Sequence, residues 1–164
     1  MIRTATAADV PLIYRFIRDL AMYEKLEHAV VATEEDIRNT LFGERRYAEV
    51  IIAEDDGQPA GFALFFHNYS TFLGRPGIYL EDLFVRPEMR GKGYGKALLA
   101  HLAALAVERN CGRVEWAVLD WNEPAMAFYR GLGAKAVDEW TIFRLTGDAL
   151  RELAVLSSAP SMRS

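Results

Sequence analysis

The sequence predicts an α/β domain in which an antiparallel meander of strands leads into a strand–helix–strand unit. Three observations support this prediction. Strand-type and helix-type periodicities alternate along the 164 residues. Three β-rich runs follow one another with short connections. A strand then passes through a glycine-rich loop into a long alanine- and leucine-rich helix, and a further strand follows. The expected sheet is therefore mixed and mostly antiparallel, with flanking helices.

The first part of the chain is predicted to hold a short strand and two helices. The strand covers residues 1–5. Thr6 and Asp9 have the spacing of a capping box at the start of a helix that runs to about Lys25. A second capping pattern, Thr33-Glu34-Glu35-Asp36, begins a shorter helix.

The middle of the chain is predicted to hold the meander. Its first two strands are joined by a hairpin turn at Asp55-Asp56-Gly57-Gln58. A glycine- and proline-punctuated loop separates the second strand from the third. The expected strands are 47–53, 60–66 and 78–85, with the loop at 70–77. The long helix that follows runs from Tyr94 to about Asn110 and has leucines on one face.

The last part of the chain is predicted to complete the sheet. It holds a strand, a helix that begins at Pro124, two more strands and a short helix. The expected ranges are 113–119, 124–131, 134–137, 140–145 and 147–153. Residues 1–156 are expected to form a single domain, and the small and polar residues 157–164 a disordered tail.

Composition argues against several classes of protein. The chain is 51% hydrophobic, which suits one domain with a sizeable core. No apolar run approaches the roughly 20 residues that span a membrane, and the N-terminus lacks a signal peptide's apolar core, so a cytoplasmic protein without a membrane partner is expected. A net charge of −4 disfavours nucleic acid as a partner. One cysteine and three scattered histidines predict neither a disulfide nor a metal site.

The stretch from Arg90 to Lys96 has the composition of an anion-binding loop. Gly91, Gly93 and Gly95 allow positive φ angles and let backbone N–H groups approach a ligand closely. The start of the following helix and three basic side chains favour negative charge, so a phosphate or pyrophosphate is the expected ligand. A glycine-rich turn that binds nothing is the alternative.

The spacing excludes two other phosphate-binding motifs. A Walker loop needs a glycine where Arg90 stands and a Ser or Thr where Ala97 stands. A dinucleotide fingerprint needs a glycine where Lys96 stands. What remains is the pattern Arg-x-x-Gly-x-Gly after a strand.

This pattern resembles the GNAT acetyltransferase superfamily, whose members hold the pyrophosphate of acetyl-CoA in such a loop. Within it, the chain is similar to the spermidine/spermine (diamine) and thialysine N-acetyltransferases. The similarity rests on the stretches 20–24, 79–85, 120–125 and 128–130 and covers residues 2 to about 153. It implies a GNAT-type fold with a central βαβ acetyl-CoA-binding unit, acetyl-CoA as co-substrate and a homodimer.

The resemblance also implies which residues surround acetyl-CoA. Backbone N–H groups around Leu83 to Val85 would hold the pantetheine and polarise the thioester carbonyl. Asn122, which could equally be a helix cap, would contact the cofactor. The implied cofactor-binding residues are Leu83, Phe84, Val85, Arg90, Gly91, Lys92, Gly93, Tyr94, Gly95, Lys96 and Asn122.

Acetyl transfer to an amine requires that two protons move. An alkylammonium group with a pKa near 10.4 loses its proton at pH 7 at a cost of roughly 4.6 kcal/mol, so a base is needed. The resemblance implies that Glu81 is this base, acting through water, and that Tyr129 protonates the CoA sulfur. From the residues alone, Glu81 could instead face solvent, and Tyr129 could be a core aromatic.

Glu81 and Asp82 are adjacent in an apolar strand, so in a regular strand their side chains point to opposite faces. They can share a site only if the strand carries a β-bulge. The resemblance implies an acidic and aromatic lining for the acceptor amine, suited to a cation. The implied contacts are Asp82, Tyr23, Glu24 and Trp140. Glu24 could equally be a solvated helix residue.

The resemblance thus predicts an N-acetyltransferase that passes acetyl directly from acetyl-CoA to a small primary amine such as a polyamine. Thialysine or another amino-acid or protein amine is the alternative acceptor. A non-catalytic acyl-CoA-binding module is the alternative outside the enzymes. Direct transfer needs no covalent intermediate, so Cys111 is expected to be dispensable.

Overall fold

The computed structural model describes residues 1–158 and has a five-stranded sheet. The strands are β1 (Ile2–Thr4), β2 (Glu49–Asp55), β3 (Gln58–Ser70), β4 (Arg75–Val85) and β5 (Val114–Trp116), arranged in that order. β1 to β4 pair antiparallel, whereas β5 pairs parallel to β4. The predicted α/β class and the meander leading into a strand–helix–strand unit are confirmed. Residues 159–164, most of the expected tail, lie outside the described residues.

The helices begin largely where the capping patterns predict them. Within residues 1–158 they are α1 (Val10–Tyr23), α2 (Glu34–Leu41), α3 (Tyr94–Glu108), α4 (Glu123–Gly131) and α5 (Gly147–Val155). Both capping boxes are present, although at the first one a short 3₁₀ turn precedes α1. None of these described helices is long and apolar enough to cross a membrane.

The chain divides into two compact units, Met1–Trp121 and Asn122–Ser164. The first holds the sheet and α1 to α3, and the second holds α4, α5 and the segment between them. In the first unit, α1 and α2 bury their apolar faces against the sheet. Phe16 of α1 stacks on Phe62 of β3, with 5.1 Å between ring centroids, and both rings are fully buried. This packing holds the middle of α1 against the sheet.

Two expectations about strands are wrong. The loop expected at 70–77 is a tight turn, because Gly74 adopts a φ of +65° and donates its N–H to the carbonyl of Ser70, 2.8 Å away. Strand β3 therefore continues to Ser70 and β4 begins at Arg75, so only the four residues 71–74 lie between the two strands. Among the described residues, the expected strands 134–137 and 140–145 do not form. β-forming side chains produce a strand only beside a neighbouring edge, which propensity alone does not supply.

Candidate active site

A β-bulge interrupts β4 at Glu81. Leu64 of β3 lies opposite Asp82, whereas its neighbour Phe65 lies opposite Leu80, so Glu81 is the extra residue on β4. Such a bulge breaks the strict alternation of side chains between the two faces. The condition under which Glu81 and Asp82 can share a site is therefore met.

Three carboxylates form an acidic cluster around this bulge. Burial raises the pKa of Asp82, and the negative charges of Glu81 and Glu24 add smaller contributions in the same direction. Together they bring this pKa to about 6. Burial also raises the pKa of Glu24. Glu81 itself is exposed. The structure thus brings together Glu24 from the end of α1 and both acidic residues of β4, and the cluster favours a bound cation.

Beside the acidic cluster lies the α1–β4 cleft, of about 440 Å³. Its lining residues are Asp19, Met22, Tyr23, Phe84, Pro87 and Arg90. The Arg90 guanidinium carbon lies 5.1 Å from the ring centroid of Tyr23 and 5.6 Å from that of Phe84. Its Nε donates a hydrogen bond to the carbonyl of Val85 at 3.0 Å. The side chain of Arg90 is thus held in the cleft by two rings and a backbone oxygen.

The edge of β4 that faces β5 opens at the bulge. β5 pairs only with Ile78 to Leu80, although β4 continues to Val85. Beyond Leu80, within the described residues, β4 pairs with β3 alone. Apart from the Val85 carbonyl, which accepts from Arg90 Nε, the backbone N–H and C=O groups of residues 81–85 that point away from β3 are therefore open to an extended ligand.

The glycine loop turns the chain from β4 into α3. Gly91 has a φ of +79° and Gly93 one of +88°, and Gly93 is the residue that caps α3. The φ angle of Gly95 is not positive, so the backbone conformation requires glycine at only two of the three positions, Gly91 and Gly93. The N–H groups at the start of α3 lack partners within the helix and can bind an anion.

One basic side chain of the loop is already paired. Lys92 Nζ lies 3.1 Å from Oδ2 of Asp55, in the hairpin between β2 and β3. Hydrogen bonds from Lys92 and Tyr94 lower the pKa of Asp55. This contact ties the glycine loop to the hairpin. Lys96 is exposed and lies in the first turn of α3.

The comparisons with known proteins agree with this geometry. Residues 14–134 match the family model described as Acetyltransferase (GNAT) family. The chain belongs to this family. GNAT acetyltransferases use acetyl-CoA as co-substrate. The resemblance found from the loop and the strand before it is confirmed.

Similar proteins act on amines. The chain of this GNAT acetyltransferase is 42% identical to thialysine N-epsilon-acetyltransferase from Bos taurus, over 94% of this chain and 96% of that protein. It is 37% identical to L-ornithine N5-acetyltransferase NATA1 from Arabidopsis thaliana, over 95% of this chain and 88% of that protein. Among solved structures, integron cassette protein VCH_CASS6 from V. cholerae superimposes with a TM-score of 0.79, at 31% identity, covering 94% of this chain and 96% of that one.

Three predicted site residues of this acetyltransferase lie in its second unit. Asn122 caps α4, since its Oδ1 accepts the N–H of Ala125 at 3.3 Å. Tyr129 is half-buried on α4, with its ring centroid 5.7 Å from that of Phe128. Trp140 is 76% exposed. The roles of these three residues stay predictions.

Sequence reasoning missed several residues of the first unit that line the α1–β4 cleft or lie close to Tyr23. Asp19, Met22 and Pro87 line the α1–β4 cleft. Trp121 lies 6.1 Å from Tyr23, measured between ring centroids. Asp19 precedes Tyr23 by one helical turn, a spacing that could have indicated a shared face of α1.

Proposed function

We propose that this chain transfers the acetyl group of acetyl-CoA directly to the primary amine of a small aliphatic acceptor. The observation that carries the proposal is the cluster of Glu24, Glu81 and Asp82 at the point where the β4 edge opens. A cationic amine is attracted by this cluster, and a thioester bound along the open edge lies beside it. The activities named for the two similar enzymes support an acceptor with a free side-chain amine.

The cofactor half of the proposal uses backbone groups. The pantetheine lies along residues 83–85, and one of their N–H groups polarises the thioester carbonyl. The pyrophosphate lies in the glycine loop and at the start of α3. The left-handed conformations of Gly91 and Gly93, and the missing β5 partner beyond Leu80, support these two placements.

The acceptor half moves two protons. Asp82 holds the ammonium, and Glu81, which is exposed, takes its proton through water. The neutral amine then attacks the carbonyl carbon and forms a C–N bond, the C–S bond breaks, and the nitrogen loses its second proton to water. Tyr129 gives its proton to the CoA thiolate and regains one from solvent.

The proposal extends to the assembly and the location of the protein. A homodimer is expected, because the second unit exposes Trp140, Ile142 and Phe143 by 76%, 77% and 93%. Apolar side chains of this size that cluster in sequence favour an interface over solvent. A location in the cytoplasm stays a prediction from the sequence.

A thiol-release assay tests the function. Wild-type protein is mixed with acetyl-CoA and, in turn, thialysine, L-ornithine, spermidine and a lysine-containing peptide. Release of CoA with a small amine is expected, and mass spectrometry should find one acetyl group on the acceptor. Spermidine turning over fastest would support the polyamine acceptor predicted first. Silence with every amine, while calorimetry still detects CoA binding, would favour the non-catalytic binding module.

Cys111→Ala is the matched control for direct transfer. The reaction needs no acetyl-cysteine, so this variant should release CoA at the wild-type rate. Loss of turnover by a folded Cys111→Ala protein would contradict direct transfer.

A further inference from the structure

One carboxylate joins the β2–β3 hairpin to the glycine loop. Asp55 is the last residue of β2, where the chain turns into β3. Its Oδ2 lies 3.1 Å from Lys92 Nζ, and hydrogen bonds from Lys92 and from Tyr94 lower the pKa of this carboxyl group. Asp55 therefore interacts with the residues on both sides of Gly93, which caps α3.

The hairpin is a firm support for this contact. Beside Asp55, the N–H of Glu54 donates a hydrogen bond to the carbonyl of Met1 at 2.8 Å. Arg3 Nε lies 3.1 Å from Oε1 of Glu54. Strand β2 thus pairs with β1 on one side and with β3 on the other up to its last residues. The backbone that carries Asp55 is fixed by the sheet.

The middle of the glycine loop has little packing of its own. A Cβ at Gly91 or Gly93 would meet no atom within 4 Å, so no neighbouring element packs closely against the backbone there. Glycine also loses more conformational freedom on ordering than any other residue. Arg90 Nε anchors the start of the loop to a backbone oxygen of β4 at 3.0 Å. The pair of Lys92 and Asp55 holds its middle.

The charge of Asp55 and its contacts act on a bound pyrophosphate in opposite directions. A carboxylate near the loop repels the anion and neutralises the charge of Lys92, so charge alone would make Asp55 weaken the binding of acetyl-CoA. Ordering favours binding, because a loop that already has its bound conformation loses less freedom when the ligand arrives. An exposed ion pair contributes little to the stability of the whole protein, so this effect is local to the loop.

We propose that Asp55 is a positioning residue for acetyl-CoA, which holds the glycine loop in its binding conformation through Lys92 and Tyr94. The side chain of Lys92 supports the loop, while the backbone N–H groups of the loop bind the pyrophosphate. This role rests on the proposed placement of the pyrophosphate. It gives the β2–β3 hairpin, which the sequence predicts only as a turn, a part in cofactor binding.

Asp55→Ala tests this role by separating KM from kcat. The KM for acetyl-CoA should rise by about 3- to 10-fold, the usual effect of losing one hydrogen bond. The kcat at saturating acetyl-CoA and the KM for the amine should stay at wild-type levels, because the acidic cluster lies at the bulge of β4 and not in the loop. An unchanged or lower KM for acetyl-CoA would overturn the proposal.

Asp56→Asn is the matched control for charge. Asp56 is exposed, carries the same charge one residue further along and, within residues 1–158, has no ion pair. Its φ of +54° suits asparagine. This variant should keep the wild-type KM for acetyl-CoA, and a rise equal to that of Asp55→Ala would overturn the proposal. Asp55→Asn, which keeps an acceptor oxygen for Lys92, should have a lower KM than Asp55→Ala.

A double-mutant cycle tests whether Asp55 acts through Lys92. Lys92→Met keeps most of the side chain but removes its charge, and it should raise the KM for acetyl-CoA to a similar extent. Adding Asp55→Ala to this variant should change the KM little further, because the contact is already lost. Effects of the two changes that multiply in full would show that the residues act independently and would overturn the proposal.

Two measurements without an acceptor separate this role from acetyl transfer. Calorimetry with CoA should show the same loss of affinity in Asp55→Ala, even if no amine is acetylated. Limited digestion with trypsin in the absence of CoA should cut Asp55→Ala after Arg90 faster than it cuts wild type or Asp56→Asn. Equal cleavage of all three would overturn the ordering of the loop, even if acetyl transfer is confirmed. Circular dichroism melting shows that each variant is folded.

Discussion

The carboxyl group of Asp82 lies half-buried beside two other carboxylates, and its pKa is raised from 3.8 to about 6. The native state therefore binds more protons than the unfolded chain between about pH 4 and 6, and stability falls as pH rises through that window. A shift of roughly 2 units corresponds to at most about 3 kcal/mol at neutral pH. Asp82 thus lowers stability at the pH where its negative charge is useful.

Replacing Asp82 with Asn should increase the free energy of unfolding at neutral pH, because the amide removes a buried negative charge. The gain should be up to about 3 kcal/mol at pH 7.5 and should vanish near about pH 3, where the wild-type carboxyl is protonated in both states. Urea unfolding at the two pH values measures it. Glu81→Gln, at an exposed position, should change stability by about 0.5 kcal/mol or less. An Asp82→Asn protein no more stable than wild type at pH 7.5 would contradict a raised pKa.

The ionisation of Asp82 should also appear in the pH dependence of kcat/KM. Acceptor binding requires the charged form of Asp82, so kcat/KM for the amine should rise with pH through about 6. Glu81→Gln removes a negative neighbour, which lowers the pKa of Asp82 and moves this rise to lower pH. Steady-state kinetics between about pH 5 and 8 measure both midpoints. An unmoved midpoint in Glu81→Gln would show that the two carboxyls do not interact.

Tyr129 is proposed to protonate the leaving CoA thiolate. Tyr129→Phe removes only a hydroxyl, so kcat should fall by about 100-fold or more while CoA binding stays unchanged. Steady-state kinetics measure kcat, and calorimetry measures the affinity for CoA. Wild-type kcat in this variant would make Tyr129 a packing residue of α4.

At the scale of elements, the glycine loop depends on backbone conformation at Gly93. A Cβ there would meet no atom within 4 Å, so Gly93→Ala is disfavoured only by its φ of +88°. The variant should lose about 1–2 kcal/mol or distort the loop, and the KM for acetyl-CoA should rise. Gly95→Ala is the control for stability, since its φ is not positive and its Cβ would lie 3.9 Å from Val85. Equal melting temperatures and KM values for Gly93→Ala and wild type would show that the loop tolerates a side chain there.

The elements also show how far local patterns reach. Thr6–Asp9 and Thr33–Asp36 are capping boxes in both sequence and structure, because the bonds involved span three residues. The hairpin at Asp56 and Gly57, with φ angles of +54° and +80°, is equally local. The bulge at Glu81 could be stated only as a condition, since the register of β4 depends on its pairing with β3.

At the scale of the whole molecule, the apolar segment of the second unit predicts self-association. Ile142 and Phe143 are 77% and 93% exposed. Light scattering after size-exclusion chromatography should find a dimer of the 18.5 kDa chain. Ile142→Asp with Phe143→Asp should give a folded monomer, because a charge in an apolar interface is costly. A monomeric wild type would contradict the prediction.

The sequence by itself determined the α/β class and the family of this protein, and it predicts a phosphate-binding loop. These rest on interactions between near neighbours and on residue spacing, which the chain displays directly. The tertiary structure decided which charged groups face one another. The sequence shows that Arg90 begins the glycine loop, but only the fold brings its side chain against Tyr23, 67 residues away in sequence. Burial of Asp82 and the opening of β4 beyond Leu80 are likewise set by packing between distant segments, which no local pattern encodes.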